Sequence, residues 1–293
     1  MRNKVPRNAS HEDKNQILGG VLYLVATPIG NLSDISERAL KVLNNVDFIA
    51  AEDTRNTGKL LAYFGISKPM VSYFEHNKRE RGEIIAERLK NGESCALVTD
   101  AGTPAISDPG EDLVRLCAQE GITVTSIPGC CAVINALALS ALSTGRFCFE
   151  GFLSTNRNER TERLNELKCD TRTTIFYEAP HKLTKTLDDL YAVFGDRKIT
   201  LCRELTKINE EIIRTTLEGA IALYSDTAPR GEYVLVVEGY TGSKEDSSFW
   251  SDMSVQEHVS FYMEKGLKKM DAIKSVAKDR GVAKNEIYKQ INC

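Results

Sequence analysis

VLYLVATPIGNLSDIS, residues 21–36, is the stretch on which the fold reading turns. Its first six residues, Val21–Ala26, form an unbroken apolar run, too short for an ordinary helix and rich in β-formers, which predicts a buried strand. Thr27-Pro28-Ile29-Gly30-Asn31-Leu32 then supplies turn residues. The same theme recurs at Asp47–Glu52, Met70–Phe74, Ser94–Asp100 and Thr123–Pro128. Between these runs the apolar spacing turns helical, as at Ile84, Ile85, Leu89 and at Leu113, Val114, Cys117. Strand–helix alternation of this kind predicts a mostly parallel α/β sheet.

Thr144-Gly145-Arg146 reads as a boundary, and a second series of strands follows at Phe147–Phe152, Thr173–Glu178, Lys198–Leu205 and Gly231–Gly239. Helices are expected near Arg157–Lys168 and Lys182–Phe194. Thr241–Ser251 has linker composition; beyond it Val255–Glu264 and Lys269–Asp279 read as helices, with a third beginning at Lys284. The expected organisation is a disordered lead-in over 1–19, α/β domains over 20–144 and 145–241, and a helical extension over 252–293. Between Lys265 and Lys289 stand eight basic and three acidic residues, which fits either a solvated helical face or a phosphate-contacting appendage.

The 293 residues favour more than one domain, and 42% hydrophobic with 27% charged residues is ordinary for a globular protein. The longest nearly apolar stretch, Ala132–Leu142, is too short to span a bilayer. The polar N-terminus lacks the apolar core of a secretory signal, and the eight cysteines form no C-x-x-C pair, so a reduced, cytoplasmic protein is expected. Net charge of −3 excludes nucleic-acid binding by bulk charge alone while leaving local basic patches open. His11, His76, His181 and His258 lack ligand spacing, so no metal is expected.

In an open α/β sheet, ligands bind beyond the carboxyl ends of the strands. Those positions hold Ile29-Gly30-Asn31, Glu52-Asp53-Thr54-Arg55, Glu75-His76-Asn77, Asp100-Ala101-Gly102-Thr103-Pro104 with Ser107-Asp108-Pro109-Gly110, and Gly129-Cys130-Cys131-Ala132. Singly, each serves equally well as a turn or a local ion pair; together they predict one rim around a ligand cleft. Neither G-x-x-x-x-G-K-[ST] nor G-x-G-x-x-G is present, which disfavours a P-loop nucleotidase or a Rossmann dehydrogenase. In the second series, Glu178 and Glu204 either pair with Arg203 and Lys207 or face a site, and His181 either starts a helix or joins that site. Arg157, Arg160 and Arg163, three apart, would share one helical face, solvated or turned to an RNA backbone.

LYLVATPIGNLSDIS (22–36), AEDTR (51–55), HNK (76–78) with Arg79 and Arg81, and LVTDAGTPAISDPG (97–110) together closely resemble the ribosomal RNA small subunit methyltransferase I family. FYEAPHKL (176–183), CRELTKINEE (202–211) and GEYVLVVEG (231–239) extend the resemblance over roughly Gly20–Tyr240. This is the 2′-O-ribose branch of the tetrapyrrole-methylase-like, class III S-adenosylmethionine-dependent methyltransferases. The resemblance implies two αβα domains of the tetrapyrrole methylase type, S-adenosyl-L-methionine as cofactor, and a homodimer. It also implies methylation of a cytidine ribose 2′-hydroxyl in the decoding region of 16S rRNA in the small ribosomal subunit. Carried over by motif, the cofactor contacts are Ile29, Gly30, Asp100, Ala101, Gly102, Thr103, Cys131, Ala132, Tyr177, Glu178 and Ala179.

Methyl transfer to oxygen needs alignment above all, assisted by an acceptor for the hydroxyl proton. Glu178, Glu52 and Asp53, then His181, are the candidates for that acceptor; Arg55, His76, Asn77, Lys78, Arg79, Arg81, Arg157, His181 and Arg203 are the expected RNA contacts. The sequence departs from the family at three points. Cys131 replaces the serine of Pro-Gly-x-Ser-Ala, Thr99 stands where serine is common, and Ser154-Thr155-Asn156 lacks the usual Pro and Lys, a gap Arg157 would fill. A small-molecule tetrapyrrole methylase and a non-catalytic ribosome-associated module are the competing readings. The basic residues at 76–81 argue against the first, and charged residues at the strand ends against the second.

Overall fold

The structure, a computed structural model, describes residues 16–242, 250 and 253–291. Residues 1–15 of the expected lead-in and most of the 241–251 linker lie outside the described residues. Two five-stranded sheets belong to one compact unit, residues up to 165 with 172–238; residues 166–171 and 239 onward form a second unit.

The first sheet contains β1 (Val21–Val25), β2 (Phe48–Ala51), β3 (Met70–Ser72), β4 (Cys95–Val98) and β5 (Thr123–Ile127), in the order β3-β2-β4-β1-β5. Every pairing in it is parallel. Alternate strand residues enter two separate cores, which explains the continuous apolar runs. Val21, Tyr23, Val25, Ile49 and Ala51 pack with Ala39, Val42 and Leu43 of α1 (Glu37–Asn45) and Leu61 of α2 (Thr54–Tyr63). Leu22, Phe48, Ala50, Cys95 and Leu97 face the other way, against Ile85 and Leu89 of α3 (Lys78–Lys90) and Leu113 and Cys117 of α4 (Glu111–Gln119). Each fully buried Val, Leu, Ile or Phe among them contributes about 1.5–3 kcal/mol. Helix starts are chemically marked: the Ser36 hydroxyl accepts from the Ala39 amide at 3.1 Å, capping α1.

The second sheet is mixed rather than all-parallel. It contains β6 (Phe147–Phe152), β7 (Thr173–Glu178), β8 (Lys198–Arg203), β9 (Glu211–Thr216) and β10 (Tyr233–Val237), ordered β6-β7-β10-β8-β9. Only β6 and β7 are parallel; β7–β10, β10–β8 and β8–β9 are antiparallel. The strand β9 has no counterpart in the sequence reading, because EIIRTT sits at the sheet edge, half exposed, and shows neither clean alternation nor a continuous apolar run. The seven-residue helix α8 (Leu217–Leu223) was equally illegible. The strand expected over Lys198–Leu205 stops at Arg203 because Glu204 takes φ +51. Helices α6 (Arg157–Leu167) and α7 (Leu183–Phe194) follow β6 and β7. Helix α5 (Ala132–Leu139), which leaves the first sheet, packs Val133, Ala136 and Leu137 against Ile175, Cys202, Val234 and Val236 of the second.

In the second unit, α9 (Val255–Glu264), α10 (Lys269–Asp279) and α11 (Lys284–Ile291) share a core of Val259, Ala272, Ile273, Val276, Ala277 and Ile287. A capping box starts α9, with Ser254 N–H donating to Glu257 at 2.7 Å and Glu257 N–H to the Ser254 hydroxyl at 3.2 Å.

Candidate functional site

The loops after β1 and β4 are tied together by paired backbone hydrogen bonds, Thr27 N–H to the Gly102 carbonyl at 2.9 Å and the reverse at 3.0 Å. Gly102 has φ +88, and a Cβ there would fill the space beside Ile29 at 3.6 Å. The Thr103 hydroxyl donates to the Cys130 carbonyl at 3.0 Å, adding the loop after β5. Gly129 lets that loop approach β1, since a Cβ would come within 2.8 Å of Ala26. These three loops and the ends of β7, β8 and β10 enclose a cavity of about 260 Å³.

Nine of the predicted cofactor residues line it: Ile29, Ala101, Gly102, Thr103, Cys131, Ala132, Tyr177, Glu178 and Ala179. Gly30 and Asp100 instead line a neighbouring hollow with Asn56, whose amide donates to Asp100 at 2.9 Å. Gly30 still shapes the cavity, because a Cβ on it would lie 2.4 Å from Cγ of Lys207, a cavity residue. The aromatic wall is Phe152 and Tyr177, with ring centroids 5.5 Å apart, and Phe149 behind Tyr177 at 4.9 Å.

Two kinds of carboxylate meet here. On the first-sheet side, burial and the charges of Glu52 and Asp100 push Asp108 up to about 6, against a hydrogen bond from Thr99. Burial also raises Glu52, which sits near Asp100 and Asp53. Asp53 is different: it caps α2, accepts from the Arg55 amide at 2.8 Å and pairs with the Arg55 guanidinium at 2.8 Å, which holds it at about 2. On the second-sheet side, both Glu178 oxygens are engaged, one by the Ala179 N–H at 2.9 Å and the other by the Thr186 hydroxyl. Thr186 in turn accepts from buried Arg160 at 2.8 Å, which also donates to Asp189 at 2.6 Å. Lys207 bridges Glu204 at 2.8 Å and Glu232 at 2.9 Å. That ammonium stays charged despite its burial because the two carboxylates outweigh the desolvation.

The expected arginine face on α6 does not form as a set. Arg160 turns inward, Arg163 pairs with Glu150 at 2.7 Å, and Arg157 is exposed. Around the first sheet, Arg55, His76 and Arg79 are exposed and Arg81 is half-buried. Lys78 is held by Glu75 at 2.7 Å and Asp112 at 2.8 Å. Asn77 shapes the turn into α3, accepting from the Phe74 N–H at 2.8 Å and donating to the Ser72 carbonyl at 3.2 Å. Arg203 pairs with Glu211 at 3.0 Å, and His181 is exposed in a short 3₁₀ turn, Pro180–Lys182.

Comparison with known proteins fixes the family. The model for Tetrapyrrole (Corrin/Porphyrin) Methylases matches residues 21–221. A curated relative from Halalkalibacterium halodurans, "Ribosomal RNA small subunit methyltransferase I", is 48% identical over 92% of this chain and 93% of its own. The protein of that name from Bacillus subtilis is 46% identical over 92% of this chain and 93% of its own. The chain belongs to the ribosomal RNA small subunit methyltransferase I family. Solved structures agree on fold: a diphthine synthase superposes with TM-score 0.55 at 16% identity over 74% of this chain and 90% of its own. The uroporphyrin-III-C-methyltransferase of Thermus thermophilus does so with TM-score 0.53 at 17% identity, covering 74% of this chain and 94% of its own.

Cys131 lines the cavity as the N-cap of α5. Of the cavity wall, the sequence places Ser107 and Asp108 on the rim and leaves Glu204 open between an ion pair and a site, while Phe152 is missed and Lys207 reads only as an ion-pair partner. The signal for Lys207 lay in its spacing after Arg203-Glu204, which reads as an ion pair. Ala105, Ser107, Glu204 and Thr206 all take positive φ, a strain that sequence does not announce.

Proposed function

We propose that the chain transfers a methyl group from S-adenosyl-L-methionine to the ribose 2′-hydroxyl of a cytidine in 16S rRNA, in the decoding region of the small subunit. The observation that carries this reading is an apolar, aromatic-walled cavity edged by the carboxylates Asp108, Glu178 and Glu204, in a chain of this family. Such a lining suits a ligand with a flat heteroaromatic body and cationic centres, and Gly102, which has no side chain and takes φ +88, presents backbone to the cavity. Ile29, Ala101–Thr103, Cys131, Ala132 and Tyr177–Ala179 would hold the cofactor, with Gly30 and Asp100 shaping the rim. When bound, it supplies a methyl group activated on a cationic sulfur.

The protein's part is to hold the nucleophile in line, exclude water and accept a proton. Asp108 is the acceptor we favour, with Glu52 behind it, because its carboxylate edges the cavity and its proton affinity lies near working pH. Glu178, bonded at both oxygens, acts as a fixed wall; Asp53 is locked to Arg55; His181, exposed, belongs with the RNA contacts. Arg55, Lys78, Arg79, Arg81, Arg157 and Arg203 would meet phosphates, with His76 and Asn77 at the same rim. The enzyme would act as a homodimer in the cytoplasm; no helix among the described residues is long and apolar enough to cross a membrane.

The test is methyl transfer from labelled S-adenosyl-L-methionine to small subunits from cells lacking this protein. Label recovered in 16S rRNA as a 2′-O-methylcytidine supports the reading. Cofactor binding by calorimetry without label in rRNA refutes the substrate, and absence of binding refutes the reaction.

A further inference from the structure

The proposed reaction leaves the basic C-terminal helices without a role. Helices α10 and α11 are joined by Arg280–Ala283, where Gly281 takes φ +65 and the Val282 N–H closes onto the Ala277 carbonyl at 3.0 Å. This is a helix–turn–helix with a glycine turn. In α11, Ile287 is buried and Ile291 half-buried, while Asn285, Tyr288 and Lys289 lie on the opposite, exposed face. Tyr288 is 48% exposed, leaving much of its ring in solvent. Two of the segment's acids are already engaged: Asp279 accepts from the Tyr262 hydroxyl at 2.6 Å, and Asp271 pairs with Lys274 at 3.0 Å. The segment keeps the basic excess of its sequence, with Lys278 exposed at the end of α10 and, on α11, Lys289 exposed and Lys284 half-buried.

Resting on the rRNA substrate proposed above, we propose that this face is a second RNA contact. Lys278, Lys284 and Lys289 grip backbone phosphates, and Tyr288 stacks on an unpaired base. Charge complementarity selects a polyanion. A helix cannot enter the deep, narrow major groove of A-form RNA, so the contact follows backbone and shape and is insensitive to sequence. It raises substrate affinity without touching the reacting atoms.

The experiment compares the full chain with K278Q/K284Q/K289Q and with the corresponding triple Lys→Arg variant. Binding to a 16S rRNA transcript is measured over a salt series, alongside KM and kcat for methylation of small subunits. Each lost phosphate contact should reduce the slope of log K against log salt by about 0.7–0.9, so the Gln variant should lose about 2 in total. Its KM should rise about tenfold or more with kcat unchanged, and the Arg variant should match the parent. An unchanged slope and KM in the Gln variant would overturn the proposal. So would a loss confined to assembled subunits with naked rRNA binding intact, which would assign the face to a ribosomal protein. A parent chain that binds transcript with this salt response yet methylates no subunit would sink the substrate reading while supporting this contact. Circular dichroism on each variant, with K289Q alone as the mildest change, separates misfolding from lost contact.

Discussion

The first-sheet side of the cavity presents mostly backbone and small groups: Ala101, Gly102, Thr103 and Ala132, placed by loops that touch one another through main-chain hydrogen bonds. The second-sheet side presents larger side chains fixed by internal ion pairs, Glu178 through Thr186 and Arg160, and Glu204 through Lys207 and Glu232. One side obtains its shape from glycines and strained turns, the other from desolvated charge. The two should therefore fail differently, the glycine side losing ligand fit and the charged side losing stability.

The sharpest break of that contrast is Arg160→Met. It strands Asp189 and removes the donor to Thr186, beneath Glu178. Removing one partner of a buried pair costs about 3–5 kcal/mol, and the partial exposure of Asp189 places the expected loss near the lower end. Urea denaturation should show it as a lower midpoint with the slope unchanged. A cost below about 1 kcal/mol, the range of a surface pair, would mean the second-sheet wall is not held by charge.

Gly102→Val tests the opposite side. A β-branched residue at φ +88 should cost about 1–2 kcal/mol in stability, since the left-handed region is unfavourable for L-residues. The larger signature is in binding: the added side chain enters the cavity beside Ile29, and affinity for S-adenosyl-L-methionine in calorimetry should fall more than about tenfold, or 1.4 kcal/mol. Stability lost with affinity intact would show that this loop does not face the cofactor.

Asp108→Asn asks whether the carboxylate at the seam acts chemically. Its folded proton affinity, about 6, lies above the ordinary 3.8. The folded state therefore binds the proton more tightly than the unfolded chain, and stability declines as pH rises from about 4 to 6, then levels off. Asn removes this decline, so the variant should melt higher than the parent at neutral pH and equally at pH 4. Turnover in the parent should fall as pH drops through about 6, as the acceptor becomes protonated. The variant should be slower by roughly 10²–10⁴-fold with that inflection gone, the usual contribution of general base catalysis. Persistence of the inflection would assign it to Glu52 or another group.

What could be read in the sequence follows the same division. The first sheet is buried on both faces, so its strands appear as continuous apolar runs, and its Gly- and Pro-rich strand ends mark the rim directly. In the second sheet, β9 at the edge carries EIIRTT without a clear period, and the antiparallel pairing depends on contacts distant in sequence. Arg157, Arg160 and Arg163 look equivalent in spacing, yet only Arg160 is itself buried, paired with Asp189 of α7. Asp108 reads as a rim residue from its place after β4, but its partial burial depends on how Ala105 and Ser107 bend the loop, and residue type does not encode that bend.

The smallest effect sharpens the comparison at the thiol on the first-sheet side of the cavity. Cys131 is the N-cap of α5 and makes no side-chain capping bond. Serine here adds an oxygen that both caps better than a thiol and donates a stronger hydrogen bond toward the cavity. A neutral hydrogen bond of this kind contributes about 0.5–1.5 kcal/mol net, part of which the thiol already supplies. Cys131→Ser should therefore tighten S-adenosyl-L-methionine binding only about two- to fivefold and raise the melting temperature slightly, with kcat unchanged. Cys131→Val keeps the bulk and loses the donor, so it separates the two contributions. If Val binds the cofactor as well as Ser, the position acts through packing alone, and the first-sheet side is a backbone surface throughout.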